Sequence, residues 1–392
     1  MLTTETLPDF QRALVDAGVD GWLLYDFRGL NPIAGGLMRL DGMTTRRAFA
    51  WVPARGTPVA ISHAIEQGPW HLWPSEWKRE IYASWKSLEA LLAKHVEGKR
   101  VAMEYSSGDA VPYLDRVPAG VIEMVRAAGA TVVSSSELVS RFYASWNAEH
   151  IASHVSAAEH VARIGKAALV LAGERARSTE PLAEHEVMGW ILAEFRKVGL
   201  GTDHGPNVSA GANAANPHYE PSPDAPRLIE QGDILLIDLW ARAEGGVWAD
   251  QTWMASVGEP TKDALEIWNA VRDARDAAIA LVKAKARGGE PVRGADVDDA
   301  ARQVIEARGY GQYFTHRTGH SIDPRDLHGS GPHLDNLETR DERLIVPGVA
   351  FSIEPGIYIP GRIGMRSEVN VYVVPGEAVV TPAQYQTELL VV

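Results

Sequence analysis

Four acidic residues and one histidine have the types and spacing of a metal-binding site. Asp238 follows the apolar run at residues 234–237, and Asp250 lies in a second strand-like run at residues 247–254. The two runs predict a β-hairpin centred on residue 244, with the aspartates directly opposite each other and their Cβ atoms roughly 5 Å apart. An aspartate at a strand end is often only a turn or cap former, so this pair alone does not establish a site.

The same arrangement occurs a second time with glutamates. Glu354 and Glu368 lie in strand-like segments on either side of a turn at residues 360–362, and residue 361 is midway between them. His320, preceded by Gly319, lies between the two acid pairs in the chain. The sequence therefore predicts that four carboxylates and one imidazole converge.

Converging carboxylates require compensating positive charge. Inside strands they repel one another and lose hydration, so their pKa values rise unless cations lie among them. One divalent ion balances half of the formal charge of four carboxylates, and two ions balance all of it. Oxygen-rich ligands with one imidazole and no thiolate favour manganese, cobalt, zinc or iron. We therefore expect two divalent metal ions, with manganese ahead of cobalt and zinc.

Periodic apolar patterns place these residues in an α/β fold. Residues 20–145 alternate between strand-like and helix-like stretches. Helices are predicted at residues 148–173, 184–198 and 262–285. A chain of 392 residues is longer than one ordinary domain core. We predict two domains, residues 1–147 and residues 148–392.

Five segments resemble those of the M24 metallopeptidases, a family that includes methionine aminopeptidase, aminopeptidase P and prolidase. The segments are residues 237–240, 249–252, 316–322, 353–358 and 366–368. The resemblance implies the α/β pita-bread fold for the second domain. The first domain resembles the smaller α/β N-terminal domain of creatinase and prolidase, which methionine aminopeptidases lack. Proline-directed peptidases are therefore favoured.

The resemblance also implies a role for each ligand. Asp238 is expected to bind one metal ion, Asp250 and Glu368 to bridge both, and His320 and Glu354 to complete the shell of the second ion. A water or hydroxide between the ions then attacks the scissile carbonyl. Glu354 is expected to carry a proton to the leaving proline nitrogen.

Several histidines match the family outside the ligand set. His218 and His328 correspond to histidines with catalytic and substrate-binding roles, although an ordinary surface or core imidazole is the alternative for each. His316, four residues before His320, has the same two interpretations. The spacing from His320 to His328 is one residue longer than the family usually has. Asp323 also stands where glycine is common, which predicts a reshaped loop.

Four other residues bear on specificity and ligand geometry. Arg340 lies where prolidases hold an arginine for the carboxylate of a dipeptide, although its charge-rich surroundings are also typical of a solvated loop. Tyr358 is expected to contact substrate. Arg366, two residues before Glu368, is expected to orient that ligand by charge-assisted hydrogen bonds. Trp253 replaces an arginine that many relatives have, which removes a guanidinium from around the ligands.

The composition excludes several classes of function. The formal net charge is −13 and no basic stripe is present, so a nucleic-acid partner is not expected. The absence of cysteine excludes disulfides and thiolate zinc sites. The N-terminus lacks the pattern of a signal peptide, and no apolar run approaches the ~18 residues of a membrane span. We expect a cytoplasmic protein without a membrane partner, and the resemblance implies a homodimer.

These observations predict a di-metal Xaa-Pro dipeptidase that hydrolyses small peptides with proline at the second position. Three alternatives remain. An aminopeptidase P would act on longer Xaa-Pro peptides, a creatinase-like hydrolase would work without metal, and a non-catalytic binding module would use the same fold. The complete ligand set argues against the last two.

Overall fold

The computed structural model describes residues 1–392, which divide into two units, Met1–Tyr143 and Ala144–Val392. The strands of the first unit are β1 (Gly21–Asp26), β2 (Ala48–Pro53), β3 (Val59–His63), β4 (Lys78–Tyr82), β5 (Arg100–Met103) and β6 (Thr131–Ser134). Its helices are α1 (Leu7–Asp16), α2 (Pro32–Met38), α3 (Trp85–Val96), α4 (Ala119–Ala127) and α5 (Ser136–Phe142).

One mixed sheet organises the first unit, in the strand order β4-β3-β2-β1-β5-β6. Successive side chains of a strand point to opposite faces, and β1 is buried along its whole length. Trp22 and Leu24 belong to one apolar cluster, and Leu23 and Tyr25 belong to another. Both faces of the sheet are therefore covered, as the predicted α/β organisation requires.

The second unit contains the acid pairs. Its helices are α6 (Ala148–Ala176), α7 (Glu184–Lys197), α8 (Lys262–Gly288) and α9 (Gly294–Ala307). Its strands are β7 (Leu200–Gly201), β8 (Asn207–Ala210), β9 (Ile234–Ala243), β10 (Ala249–Ser256), β11 (Ala350–Ile353), β12 (Gly356–Ile359), β13 (Ile363–Arg366), β14 (Val369–Val374), β15 (Glu377–Thr381) and β16 (Leu390–Val391). The three predicted helices are confirmed as α6, α7 and α8, whereas α9 was not predicted.

Strands β9 and β10 separate two apolar layers. Leu235, Ile237 and Leu239 pack with the buried face of α6 and α7, whereas Leu236 belongs to the cluster around α8. Because side chains alternate along a strand, Asp238 lies on the face of Leu236, away from α6 and α7. None of the helices is both long and apolar enough to span a bilayer.

Candidate metal centre

The hairpin of β9 and β10 carries the two aspartates in a register that differs from the prediction. Asp250 pairs with Trp240, and Asp238 pairs with Thr252, so the hairpin is centred on residue 245 and the aspartates are diagonal neighbours. Gly245 has φ +68°, a left-handed conformation that glycine adopts more easily than Glu244. A shift of two residues keeps both aspartates on the same face, so they still converge.

The two glutamates lie opposite each other, but just outside the strands. Ile353 pairs with Val369 on one side of them and Gly356 with Arg366 on the other, in one continuous register. The predicted pairing of Glu354 with Glu368 therefore fits this register, whereas their predicted placement within strands is wrong. The Glu354 N–H donates to the carbonyl of Thr318 at 2.7 Å, and the following proline has no N–H for the ladder.

His320 reaches the acid pairs from the irregular segment between α9 and β11. Its N–H donates to Ser352 Oγ at 2.9 Å, and the Ser352 N–H donates to the His320 carbonyl at 2.9 Å. A Cβ at Gly319 would lie 1.9 Å from the Ser352 carbonyl oxygen. Only glycine therefore allows this close approach of the two backbones.

Four of the five predicted ligands meet around the His320 imidazole. His320 Nε2 lies 3.3 Å from Asp250 Oδ2 and 3.4 Å from Glu354 Oε1. Potential ligand atoms of Asp250, His320 and Glu368 all lie within 4.8 Å of one another. This separation can accommodate one cation in contact with all three groups.

The protonation state of His320 indicates whether a cation can bind between its imidazole and the carboxylates. Burial lowers its pKa, so the imidazole is neutral near pH 7, and its Nδ1 faces the Ser321 carbonyl at 3.2 Å. A carbonyl can only accept, so Nδ1 carries the proton and Nε2 presents its lone pair to two carboxylates. Such a contact is repulsive unless a proton or a cation lies between the groups.

The carboxylates show the same need for positive charge. Burial raises the pKa of Asp238 to about 7 and that of Asp250 to about 8, and the pKa of Glu368 lies well above its ordinary value. Asp250 Oδ1 and Glu368 Oε1 are buried without a hydrogen-bond partner. Two buried oxygens without donors, beside a neutral imidazole, fit divalent cations.

Arg366 supplies part of the charge, with a partner that differs from the prediction. Its guanidinium pairs with Asp238 through Nη2, and Nε donates to Thr252 Oγ1 at 2.8 Å. Thr252 Oγ1 donates onward to Glu368 Oε2 at 2.8 Å, whereas Arg366 Nε itself is 4.0 Å from that oxygen. Arg366 therefore acts on Glu368 mainly through the threonine hydroxyl.

The shifted pKa values predict how metal-free protein responds to pH. Between pH 7 and 8, Asp250 and Glu368 retain protons in the folded chain that the unfolded chain has already lost. The free energy of unfolding then falls as pH rises, by about 1.4 kcal/mol per pH unit for each carboxyl that stays protonated. We expect the Tm of chelator-treated protein to fall across this interval and that of metal-loaded protein to change less. Equal pH slopes for the two forms would contradict this expectation.

His328 lies beside the centre, on the loop that the sequence predicts to be reshaped. Its ring is edge-on to that of His320, with the centroids 4.2 Å apart, and the proximity of His320 lowers the pKa of His328 to about 3. The buried Asp323 carboxylate accepts hydrogen bonds from the N–H groups of Arg325, Asp326 and Ser330. These bonds order the loop on both sides of His328, and its difference from the family's loop stays a prediction.

His316 and Tyr358 form a pair next to the ligands. His316 Nδ1 faces the Arg317 carbonyl at 2.7 Å and therefore carries the proton, so Nε2 accepts the Tyr358 hydroxyl at 2.9 Å. Burial lowers the pKa of His316, which keeps it neutral. Tyr358 is buried on β12, which raises the pKa of its hydroxyl, and the charges of Arg366, Glu354 and Asp238 also act on this hydroxyl.

His218 is exposed, and its imidazole makes no hydrogen bond or ion pair. Its loop is nevertheless anchored by the buried Glu184 carboxylate at the start of α7. Glu184 accepts the Ala210 N–H at 2.7 Å, the Asn213 side-chain amide at 3.0 Å and the Tyr219 hydroxyl at 2.6 Å. The backbone on both sides of His218 is therefore held in place.

The remaining predicted residues lie away from the ligands. The Arg340 side chain is 71% exposed and pairs with Glu342 at 2.8 Å, without a hydrogen bond or ion pair to the five ligands. Trp253 lies on the opposite face of β10 from Asp250, and its indole N–H donates to Gln251 Oε1 at 2.9 Å. The inference that Trp253 removes a guanidinium from around the ligands is therefore wrong.

Sequence reasoning missed three hydrogen-bonding partners of the ligands. Ser352 Oγ donates to Glu354 Oε1 at 2.9 Å, and Asn370 Oδ1 accepts the Asp250 N–H at 2.9 Å. Thr252, described above, is the third. Each lies two residues from a ligand on the same strand face, so strand periodicity was the signal that could have identified them.

Comparisons with known proteins agree with this centre. Residues 156–375 match the model of metallopeptidase family M24. The probable dipeptidase PepE of Mycobacterium tuberculosis is 34% identical over 186 residues, 47% of this chain and 45% of that protein. The Xaa-Pro dipeptidase of Lactobacillus delbrueckii subsp. lactis is 37% identical over 161 residues, 41% of this chain and 40% of that protein. The matched part therefore spans somewhat under half the length of these curated relatives.

A solved structure covers nearly the whole chain. The dipeptidase PepE of Mycobacterium ulcerans aligns with 99% of this chain and 97% of its own, with a TM-score of 0.73 and 25% identity. The predicted fold class is confirmed: an α/β pita-bread catalytic domain with a smaller α/β domain before it. Since the family model matches more than half of the residues, the chain belongs to metallopeptidase family M24.

Proposed function

We propose that this protein is a metal-dependent Xaa-Pro dipeptidase that hydrolyses the peptide bond before proline. The observation that carries the proposal is the neutral Nε2 of His320, which faces the buried carboxylates of Asp250 and Glu354 at 3.3 and 3.4 Å. Names of relatives, among them Xaa-Pro dipeptidase, support the substrate class. The substrate is a small peptide with proline at its second position.

The five ligands are proposed to hold two divalent ions, manganese ahead of cobalt and zinc. Asp250 and Glu368 each have a buried oxygen without a hydrogen-bond donor, so they are suited to contact both ions. His320 and Glu354 are suited to contact the second ion. Asp238, which shares its charge with Arg366, is suited to contact the first. When bound, divalent ions lower the pKa of water and polarise the scissile carbonyl.

Glu354 is suited to carry the proton. Burial opposes its ionisation, but His320, Arg366 and His316 outweigh that effect and hold the pKa of Glu354 below its ordinary value. The ionised carboxylate can take a proton from the attacking water and deliver it to the leaving proline nitrogen. The Ser352 hydroxyl donates a hydrogen bond of 2.9 Å to Glu354 Oε1 and so orients this carboxylate.

Four residues outside the ligand set are proposed to act on the substrate, two of them beside the ligands and two on exposed loops. His328, next to His320, and Tyr358, held by His316, can donate or accept hydrogen bonds at the substrate backbone. His218, on its anchored loop, has an imidazole that is exposed and can reach a bound peptide. Arg340 can turn from its exposed ion pair with Glu342 because such pairs contribute little.

Chain-length specificity tests the dipeptidase assignment. If Arg340 binds the free carboxylate of proline, then Arg340→Ala loses about 1.5 to 3 kcal/mol on a Xaa-Pro dipeptide, roughly 10- to 150-fold in kcat/KM. The same variant is expected to change little on a Xaa-Pro-Yaa tripeptide, which has no carboxylate at that position. Measuring kcat/KM for wild type and variant on both substrates decides the question.

Two further variants control this test. Arg340→Lys keeps the charge but loses the bidentate geometry, so an intermediate loss is expected. Glu342→Ala removes the exposed partner of Arg340, together with an exposed ion pair to Arg293, and is expected to retain the dipeptide preference. Equal losses on both substrates would assign Arg340 to structure, and a wild-type preference for tripeptides would indicate an aminopeptidase P. A homodimer and a cytoplasmic location remain predictions.

A further inference from the structure

An ion pair on α9 between a buried aspartate and a partly buried arginine has no role in the site described above. Asp298 is fully buried, and Arg302 follows it one helical turn later. Arg302 Nη2 donates to Asp298 Oδ1 at 3.0 Å, and Nε donates to Oδ2 at 3.2 Å. Burying such a pair is costly, so its other contacts indicate its purpose.

Those contacts fix the backbone segment that leads to His320. Asp298 Oδ1 accepts the Thr318 N–H at 2.9 Å and the Thr318 hydroxyl at 2.6 Å. Arg302 donates to the carbonyls of Phe314 and His316 at 3.1 and 3.0 Å. The two side chains together hold four groups within five consecutive residues. Asp298 Oδ2 also accepts the Asn336 N–H at 3.0 Å.

Thr318 connects this pair to two of the metal ligands. Its carbonyl accepts the Glu354 N–H at 2.7 Å, and His320 is only two residues further along the chain. Between them, Gly319 exchanges two backbone hydrogen bonds with Leu334, at 3.3 and 2.9 Å, and the His320 carbonyl accepts the Ser352 N–H at 2.9 Å, so this short segment is held on both sides. A shift of Thr318 would therefore move His320 and Glu354 together.

We propose that Asp298 is a positioning residue for the metal centre, acting through the hydroxyl and N–H of Thr318 to align His320 and Glu354. The inference rests on the proposed metal-dependent function. Ligand supports of this kind typically change metal affinity by 10- to 100-fold. Replacing the Thr318 hydroxyl with a methyl group removes one hydrogen bond to Asp298 and leaves the shape of the side chain nearly unchanged.

Metal affinity tests the proposal without reference to catalysis. Full-length metal-stripped protein is titrated with Mn²⁺ or Zn²⁺ against a competing chelator, and metal content is measured after dialysis. Asp298→Asn and Thr318→Val are expected to weaken binding by about 10-fold or more. Thr318→Ser, which keeps the hydroxyl, is expected to bind within about threefold of wild type. Asp299→Asn is the matched control, since Asp299 contacts only the Asn336 side chain, and is expected to bind like wild type.

The possible outcomes distinguish the proposed metal-dependent function from the positioning role of Asp298. Wild-type protein that binds neither metal would overturn the proposed function and this inference with it. Wild-type affinity in both Asp298→Asn and Thr318→Val would overturn the positioning role and leave the proposed function intact. A lowered Tm of the metal-free variants with unchanged affinity would also overturn it, because the pair would then serve stability alone. If Asp298→Asn does not fold, Thr318→Val and Thr318→Ser decide the matter.

Discussion

Removing divalent metal is expected to abolish hydrolysis of Xaa-Pro dipeptides, by roughly 100-fold or more, and Mn²⁺, Co²⁺ or Zn²⁺ is expected to restore it. The physical reason is the donor set itself. Asp250, Glu354 and Glu368 are gathered around a neutral His320. Asp238 pairs with Arg366, the cation beside these carboxylates. Without metal, water is too weak an acid to supply hydroxide at neutral pH, and the scissile carbonyl is not polarised enough for rapid attack.

The test combines metal analysis with kinetics. Protein is dialysed against a chelator, its metal content is measured, and kcat/KM is determined before and after each metal is returned. Metal that binds the folded chain is also expected to raise the Tm in a concentration-dependent way. Full activity in thoroughly demetallated protein would contradict the assignment, whereas a content near one ion per chain would limit the proposal to a mononuclear site.

The convergence of the ligands could be predicted because strands have a simple period. Alternation along β9 and β10 places Asp238, Asp250 and Thr252 on one face in the predicted register and in the observed one, because the two registers differ by two residues. The register itself was missed by two residues, because it depends on which residue of the turn takes the left-handed conformation. Gly245 does so.

Residues outside the strands were harder to place from sequence. No period relates Asp298 on α9 to Thr318, since their contact depends on how a helix packs against an irregular segment. The same holds for Arg340 and His218, whose exposure in loops depends on local hydrogen bonds rather than on spacing. Family resemblance suggested their roles, but a resemblance in spacing carries no information about side-chain orientation.

Replacing the ligands one at a time is expected to separate metal binding from proton transfer. Asp250→Ala or Glu368→Ala removes a carboxylate suited to contact both ions, so metal content and turnover should fall together. Glu354→Gln keeps the size and one oxygen ligand but cannot take a proton. Loss of general acid–base catalysis typically costs 10²- to 10⁴-fold. We therefore expect kcat to fall within this range in Glu354→Gln, with a much smaller loss of bound metal.

The decisive comparison is kcat per bound metal in Glu354→Gln, measured beside Glu377→Gln. Glu377 is an exposed carboxylate on β15, so its amide variant makes the same chemical change away from the centre and should behave like wild type. If Glu354→Gln retains wild-type kcat, then Glu354 is not the proton carrier. If its metal content instead falls in proportion to kcat, Glu354 acts as a ligand only. The proton must then pass through another group beside the leaving nitrogen, and His328, whose ring centroid lies 4.2 Å from that of His320, is a candidate.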